Sequence, residues 1–197
     1  KTSEIEGEIL SAEQVRSSIA RQLGMEISGS VPSDRYVDGV VQMMLDATQN
    51  FSDKLTSERL FNWHAALFPS GRSGMYPITV GNWRTDMKGP MQVVSGAFGK
   101  EKIHFQAPDS AKIPAEMALF LDWLNTNEVL DSAIKEGVAL LWLLTIHPFD
   151  DGNGRIARAV TDLLMARSDA SAQRFYSLSA QIRLDRNAYY AILEKTQ

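Results

Sequence analysis

A mostly α-helical bundle with one small β-hairpin is the fold this sequence predicts, and three observations predict it. Apolar residues recur at three- and four-residue spacing, as in Val37, Val40, Val41, Met44 and Leu45, which is the period of a single helix face. A nearly unbroken apolar segment, Val138, Leu140, Leu141, Trp142, Leu143, Leu144 and Ile146, reads as a helix at the centre of the bundle. Only between residues 78 and 110 do short β-prone pieces appear, punctuated by Gly81, Gly89, Pro90, Gly96 and Gly99.

The elements follow in order. Ser11-Ala12-Glu13-Gln14 fits a capping box, so a helix runs to about residue 23, with Gly24 near its end. Pro32-Ser33-Asp34 opens a second helix to about residue 50, and a third covers about 56–68, with Leu60, Trp63, His64 and Leu67 on one side. His64 reads as a satisfied core histidine. Gly71, Gly74 and Pro77 mark an irregular stretch. Residues 91–96 and 102–106 pair as a hairpin across 97–101, with His104 on its surface. Met117, Phe120, Leu121 and Leu124 form the stripe of a helix from Ile113 to near Asn127. The apolar helix spans about 131–147, where Pro148 disfavours helical geometry at His147 and stops it. A further helix runs from about Asn153 to Arg167, and two more lie near 171–179 and 183–194.

Composition narrows the function. A chain of 197 residues, 44% hydrophobic and 22% charged, is an ordinary globular domain, with an arm at residues 1–12 and the main body at 13–197. The net charge of −4, with no Lys or Arg cluster, argues against a nucleic-acid or anionic-membrane footprint, so any phosphate binding is local. With 0 cysteines, disulfides, thiol catalysis and zinc–thiolate sites are excluded, and a reducing cytoplasm is the compartment we expect. The longest apolar run, 138–146, is too short to span a bilayer, and no signal peptide is visible. The first residue is Lys1 rather than Met, which leaves preceding residues open.

The chemistry concentrates in His147-Pro148-Phe149-Asp150-Asp151-Gly152-Asn153-Gly154-Arg155-Ile156-Ala157-Arg158. Gly152 and Gly154 let backbone amides approach an anion, and the start of a helix already favours negative charge. Asn153 adds side-chain donors. Arg155 and Arg158, three apart, lie on one side of the first turns, and each guanidinium can grip two phosphate oxygens. Asp151 offers a hard oxygen to Mg²⁺. His147 can take a proton near neutral pH. Together these suit holding a polyphosphate beside a nucleophile.

The segment resembles the signature of the Fic family, His-Pro-Phe-x-Asp-Gly-Asn-Gly-Arg-x-x-Arg, at every specified position. The resemblance extends to the helical layout, to Gly81-x-x-Arg84 before the hairpin, and to Tyr189-Tyr190 in the last helix. It implies a Fic-type helical bundle and transfer of AMP from ATP to a hydroxyl of a target protein. In that reading His147 deprotonates the target Ser, Thr or Tyr, and Asp151 holds Mg²⁺ against the α- and β-phosphates. Gly152, Asn153 and Gly154 form the anion hole, Arg155 binds the β-phosphate, Arg158 binds the γ-phosphate, and Phe149 anchors the loop. Met91–Gly96 and Lys102–Phe105 resemble the family's flap, placed at about 91–106, whose exposed strand edge (Val93, Val94, Ser95) aligns a target by main-chain pairing.

Thr2-Ser3-Glu4-Ile5-Glu6-Gly7 resembles the inhibitory motif Ser/Thr-x-x-x-Glu-Gly/Asn of the class whose brake lies on an N-terminal helix. It implies that Glu6 pairs with Arg158, which cannot grip a carboxylate and a γ-phosphate together. The acidic residues Glu4, Glu6 and Glu8 would also suit a solvated helix start. Three alternatives remain open at the level of sequence. One is removal of AMP from a modified protein with Glu6 orienting a water. Another is a non-catalytic nucleotide-sensing module. The third is another diphosphate donor such as CDP-choline. The oligomeric state is not readable, and a homodimer stays open.

Overall fold

We describe residues 1–87, 89–95, 102–126, 130–173 and 176–196 of a computed structural model of the chain. The element order is α1 (Thr2–Ile5), α2 (Ala12–Gln22), α3 (Arg35–Gln49), α4 (Ser57–Leu67), β1 (Arg72–Ser73), β2 (Tyr76–Pro77), β3 (Gln92–Ser95), β4 (Lys102–Gln106), α5 (Ile113–Asn125), α6 (Ser132–Ile146), α7 (Asn153–Asp169), α8 (Leu178–Leu184) and α9 (Arg186–Thr196). The expected helical bundle with a small hairpin is the observed fold. The hairpin tip predicted at Gly96 and 97–101, and Asn127 at the end of α5, lie outside the described residues.

Local chemistry starts the helices where the sequence places them. Asp34 accepts from Val37 N at 2.8 Å, Thr56 from Arg59 N at 3.2 Å, and Asp131 from the amides of Ala133 and Ile134. Each such cap contributes about 1 kcal/mol. Ser11 caps α2 by accepting from Gln14 N at 3.4 Å. Three predicted details are corrected. The helix expected near 171–179 is not found among the described residues: 171–173 and 176–177 are non-helical, and α8 begins at Leu178, after the Ser177 cap. The irregular stretch around Gly71 holds a two-residue antiparallel ladder, β1–β2.

The third correction concerns the centre of the bundle. α6 is not the central helix, because Ile134 and Val138 face solvent and Leu140 and Trp142 are only half-buried. The centre is α7, where Asn153, Arg155, Ile156, Ala157, Arg158, Ala159, Val160, Thr161, Asp162, Leu163, Leu164 and Ala166 are all buried. Three alanines on α7 allow neighbouring helices to approach closely, and its two buried arginines are neutralised by residues far away in sequence, described below. α3 packs on α4 through Gly39, where a Cβ would sit 1.7 Å from the carbonyl oxygen of Ala66.

This packing positions the α6–α7 connection and pins nearly every carbonyl in it. Buried Arg84 donates Nε to His147 O at 2.7 Å and NH2 to Pro108 O at 2.5 Å, and its side chain is fixed by Asp86 at 2.6 Å. Its backbone N donates to Pro148 O at 2.9 Å. Asn153 folds its amide back on Phe149, accepting from its N at 3.0 Å and donating to its O at 2.8 Å. Thr79 N donates to Asp150 Oδ2 at 2.8 Å. Phe149 is fully buried and stacks on His64 with ring centroids 4.3 Å apart. His64 is indeed a satisfied core histidine: Nδ1 accepts from Gly81 N at 3.2 Å, so Nε2 carries the proton and donates to Asp151 O at 3.1 Å.

Two predictions follow from these contacts. Gly39→Ala forces backbone apart and costs about 3 kcal/mol, read as a lower thermal midpoint. Burial pushes the His64 imidazole down from 6.5 to about 4. The fold therefore favours neutral His64, and the stability this supplies is full above about pH 6.5 and is lost as pH falls toward 4. Urea midpoints should drop between pH 7 and pH 4.5 by an amount equivalent to roughly 2 kcal/mol for this group. His64→Gln should flatten that dependence.

Candidate active site

His147 ends α6 in the left-handed conformation, φ 51° and ψ 58°, a geometry that Pro148 and the pinned carbonyls impose. Its Nδ1 lies 3.2 Å from Leu144 O. A carbonyl only accepts, so Nδ1 carries the hydrogen and Nε2 is left as a free base. Burial lowers the imidazole pKa below its ordinary value, and the Arg84 guanidinium adds to this. The ring is therefore neutral at pH 7 and able to accept a proton.

The loop then turns at Gly152, with φ 83°, where a Cβ would meet the Phe68 ring at 2.9 Å. α7 starts at once, and its first amides have no intrahelical acceptor. Because the Asn153 side chain is spent on Phe149, only its backbone is offered to an anion. Asp151 is 43% exposed at the side chain. One of its oxygens accepts from Ser73 Oγ on β1, and the other from Gly152 N at 2.5 Å. Among the described residues no three His, Cys, Asp or Glu converge as a metal cage. A single accessible carboxylate fits Mg²⁺ that arrives with phosphates and keeps its waters.

Both arginines are buried and clasped by the N-terminal strap. Arg158 is 1% exposed. It donates Nε to Thr2 Oγ1 at 2.9 Å, and NH2 to Thr2 O at 3.0 Å and Glu6 Oε1 at 2.7 Å. Gly154 makes room for that carboxylate: a Cβ there would stand 2.5 Å from Glu6 Oε1. The Glu6–Arg158 pair is the one the inhibitory motif implies. The helix that carries it is a single turn, and Glu6 lies just past its end. α1 is held by Arg186 Nε on Ile5 O at 2.9 Å and Arg183 on Glu4 at 3.1 Å.

Arg155 carries a clasp that the sequence reading missed. Its NH1 donates to Glu8 Oε2 at 3.0 Å and to the Tyr36 hydroxyl at 2.7 Å, and Tyr36 in turn donates to Glu8. Phe68 lies under the guanidinium at 5.0 Å. Arg155 Nε is buried without a partner, the kind of orphan donor a phosphate oxygen would satisfy. Glu8 was visible only as one charge in an acidic run, and nothing in sequence signals Tyr36, Ser73 or the loop role of His64.

His147, Gly154, Arg158 and Glu6 line one cavity of about 620 Å³ together with Tyr189 and Tyr190 of α9. Val93, Val94 and Ser95 form its flap side. The flap is a two-stranded ladder, so β3 pairs with β4 on one edge only. Asp151 and Arg155 are not among the residues that line it.

Comparison with known proteins fits this architecture. The family model described as Fic/DOC family matches residues 54–165, and one described as Domain of unknown function (DUF4172) matches residues 1–25. Protein adenylyltransferase fic-1 of Caenorhabditis briggsae is 30% identical over 169 residues, covering 85% of this chain and 31% of that protein. The fic-1 protein of Caenorhabditis elegans is 29% identical over 178 residues with the same coverage, 85% and 31%. The chain thus spans about a third of the length of these relatives. Among solved structures, a Fic family protein from Desulfovibrio desulfuricans G20 superposes with a TM-score of 0.65 at 25% identity, over 98% of this chain and 53% of that one. A C. elegans Fic-1 structure gives 0.57 at 25% identity, over 98% and 52%. No described helix is long and apolar enough to cross a membrane. Matching fold, matching signature loop and a family model over more than half its residues together establish that this chain belongs to the Fic/DOC family.

Proposed function

We propose that the chain is a cytoplasmic, autoinhibited protein adenylyltransferase. It would transfer AMP from ATP to a Ser, Thr or Tyr hydroxyl of a target protein. The observation that carries this reading is Glu6 seated on Arg158 at 2.7 Å, beside a neutral His147, at the bare N-terminus of α7. The names of the relatives support the transferase half of it.

In the active state the target hydroxyl attacks the α-phosphorus. The bond to the bridging oxygen of the β-phosphate breaks, and pyrophosphate leaves. His147 Nε2 accepts the hydroxyl proton. Amides of Asn153 and Gly154 would face the charge that develops on the phosphoryl oxygens, preset by the pinned loop, while the Gly152 amide is held by Asp151 and its missing side chain leaves room for the turn. Arg155 and Arg158 take the β- and γ-phosphates in bidentate fashion. Asp151, steadied by Ser73, would hold Mg²⁺, which neutralises charge on the departing pyrophosphate. The free edge of β3 at Val93, Val94 and Ser95 would align an extended target segment by backbone pairing.

The same geometry supports the autoinhibited reading. Arg158 cannot serve Glu6 and a γ-phosphate together, and Glu8 with Tyr36 occupies Arg155 in parallel. A coupling of about 1–3 kcal/mol corresponds to roughly 5- to 150-fold repression. A second reading has its own support: Glu6 lines the His147 cavity, where its carboxylate could orient a water for removal of AMP. An AMP-modified target incubated with wild type and with Glu6→Gly separates the two, because only de-modification requires the glutamate.

Glu6→Gly is expected to raise transfer of labelled AMP from ATP by roughly 5- to 150-fold. Unchanged labelling with ATP still bound would contradict the brake. Glu8→Ala should give a smaller rise, a few-fold, because Tyr36 keeps its contact with Arg155. His147→Ala in the Glu6→Gly background should abolish transfer while nucleotide binding persists.

A further inference from the structure

A second cavity adjoins the strap. It measures about 640 Å³ and shares no lining residue with the cavity that holds His147. Val15 and Ile19 of α2 and Val40, Val41, Met44 and Leu45 of α3 give it an apolar wall. Its polar lining comes from Thr2, Ser3 and Glu4 of α1, Asp162 of α7, and Ser177 and Ser179 at the start of α8, and α1 packs against both α7 and α8. That volume and that mixture of surfaces suit a small organic molecule. Most hydroxyls of the lining are already committed. Thr2 Oγ1 accepts from Arg158 at 2.9 Å, Ser3 Oγ lies 3.4 Å from the Tyr36 hydroxyl, Thr48 donates to Met44 O at 2.8 Å, and Ser177 accepts from Ala180 N at 3.2 Å. Ser179 is the exception: it is 4% exposed, and its Oγ has no hydrogen-bond partner among the described residues. Glu4 Oε2 is also buried and accepts no hydrogen bond, although Arg183 NH1 stands 3.1 Å away. Two buried oxygens left open in one lining cost free energy that an entering donor recovers.

We propose that this cavity binds a small organic amine, with its ammonium met by Glu4, Asp162 and Ser179 and its apolar body laid against α2 and α3. An ammonium brings three donors and no acceptor, which answers two oxygens that lack donors. Asp162 is 4% exposed, so the acidic groups of the lining lie inside, whereas its basic residues, Lys1 and Arg16, are solvent-exposed. A carboxylate in the same place would face Glu4 and Asp162 and be repelled. Occupancy bears on the strap directly. Thr2 and Glu4 belong to α1, and Thr2 holds Arg158 through both its hydroxyl and its carbonyl. A bound amine therefore fastens α1 in the position from which it clasps Arg158. Only the next consequence rests on the proposed function: an amine that favours the seated strap weakens ATP binding and deepens repression.

Calorimetric titration of the whole chain with hexylamine, and with hexanol and hexanoate as matched controls, tests the site. Hexylamine should bind about tenfold or more tightly than either control. Ser179→Ala and Glu4→Gln should each weaken it by roughly five- to tenfold. Ser179→Ala should leave the thermal midpoint of the free protein unchanged, because its hydroxyl has no partner to lose. Amide hydrogen exchange of residues 2–6 should slow by about tenfold at an amine concentration ten times its Kd. No binding of hexylamine, equal binding of hexanol or hexanoate, or an affinity untouched by both variants overturns the site. Unchanged exchange under saturating amine overturns its hold on the strap. Slowed exchange with an unchanged affinity for ATP-Mg²⁺ upholds the site and contradicts instead the competition between strap and nucleotide in the proposed function.

Discussion

Two guanidinium groups buried in the central helix are the constraint around which the rest is arranged. Arg155 and Arg158 are 3% and 1% exposed, and a charge taken from water must be met by an anion and by hydrogen bonds. The fold supplies the anions from the N-terminal strap, with Glu6 on Arg158 and Glu8 on Arg155. A nucleotide triphosphate supplies the same charge in a better geometry for forked donors. In the proposed function the strap and the nucleotide are alternative solutions to one electrostatic demand, which the resting protein meets from within.

The loop between α6 and α7 is rigid for a complementary reason. Its carbonyls at residues 147, 148, 149, 151 and 152 all accept hydrogen bonds, from Arg84, Asn153, His64 and Ile156 N. Its amides at 147, 149 and 152 are also paired, so the backbone has little freedom to move, while the first turn of α7 keeps amides without an intrahelical acceptor. That is preorganisation in the sense needed for charge stabilisation at a phosphoryl group. α9 completes the enclosure, since Arg186 grips Ile5 at its start and Glu194 grips the flap near its end. One helix thus touches both the strap and the flap.

The loop was legible in sequence because its chemistry is contiguous: base, glycines, carboxylate and arginines fall within twelve residues. The helix starts at Asp34, Thr56 and Asp131 were legible because a cap is made by neighbours in the chain. The burial order of the helices was not. α6 is the more apolar segment, yet α7 is the central one, because its polar residues find partners as distant as Thr2, 156 positions away. The second clasp was hidden similarly, since Tyr36 meets Arg155 across 119 positions. A bulge in β4 at His104 depends on register, and the β1–β2 ladder is two residues long, too short for any periodic signal.

The account turns on whether Arg158 belongs to the nucleotide once Glu6 is gone. Calorimetric titration with ATP-Mg²⁺ of the Glu6→Gly protein and of its Arg158→Ala derivative measures this directly. The account predicts binding in the first and affinity weaker by about tenfold or more in the second, the loss of one charge-assisted hydrogen-bonded pair. Equal affinity in the two proteins, or no uptake by the first, would contradict it.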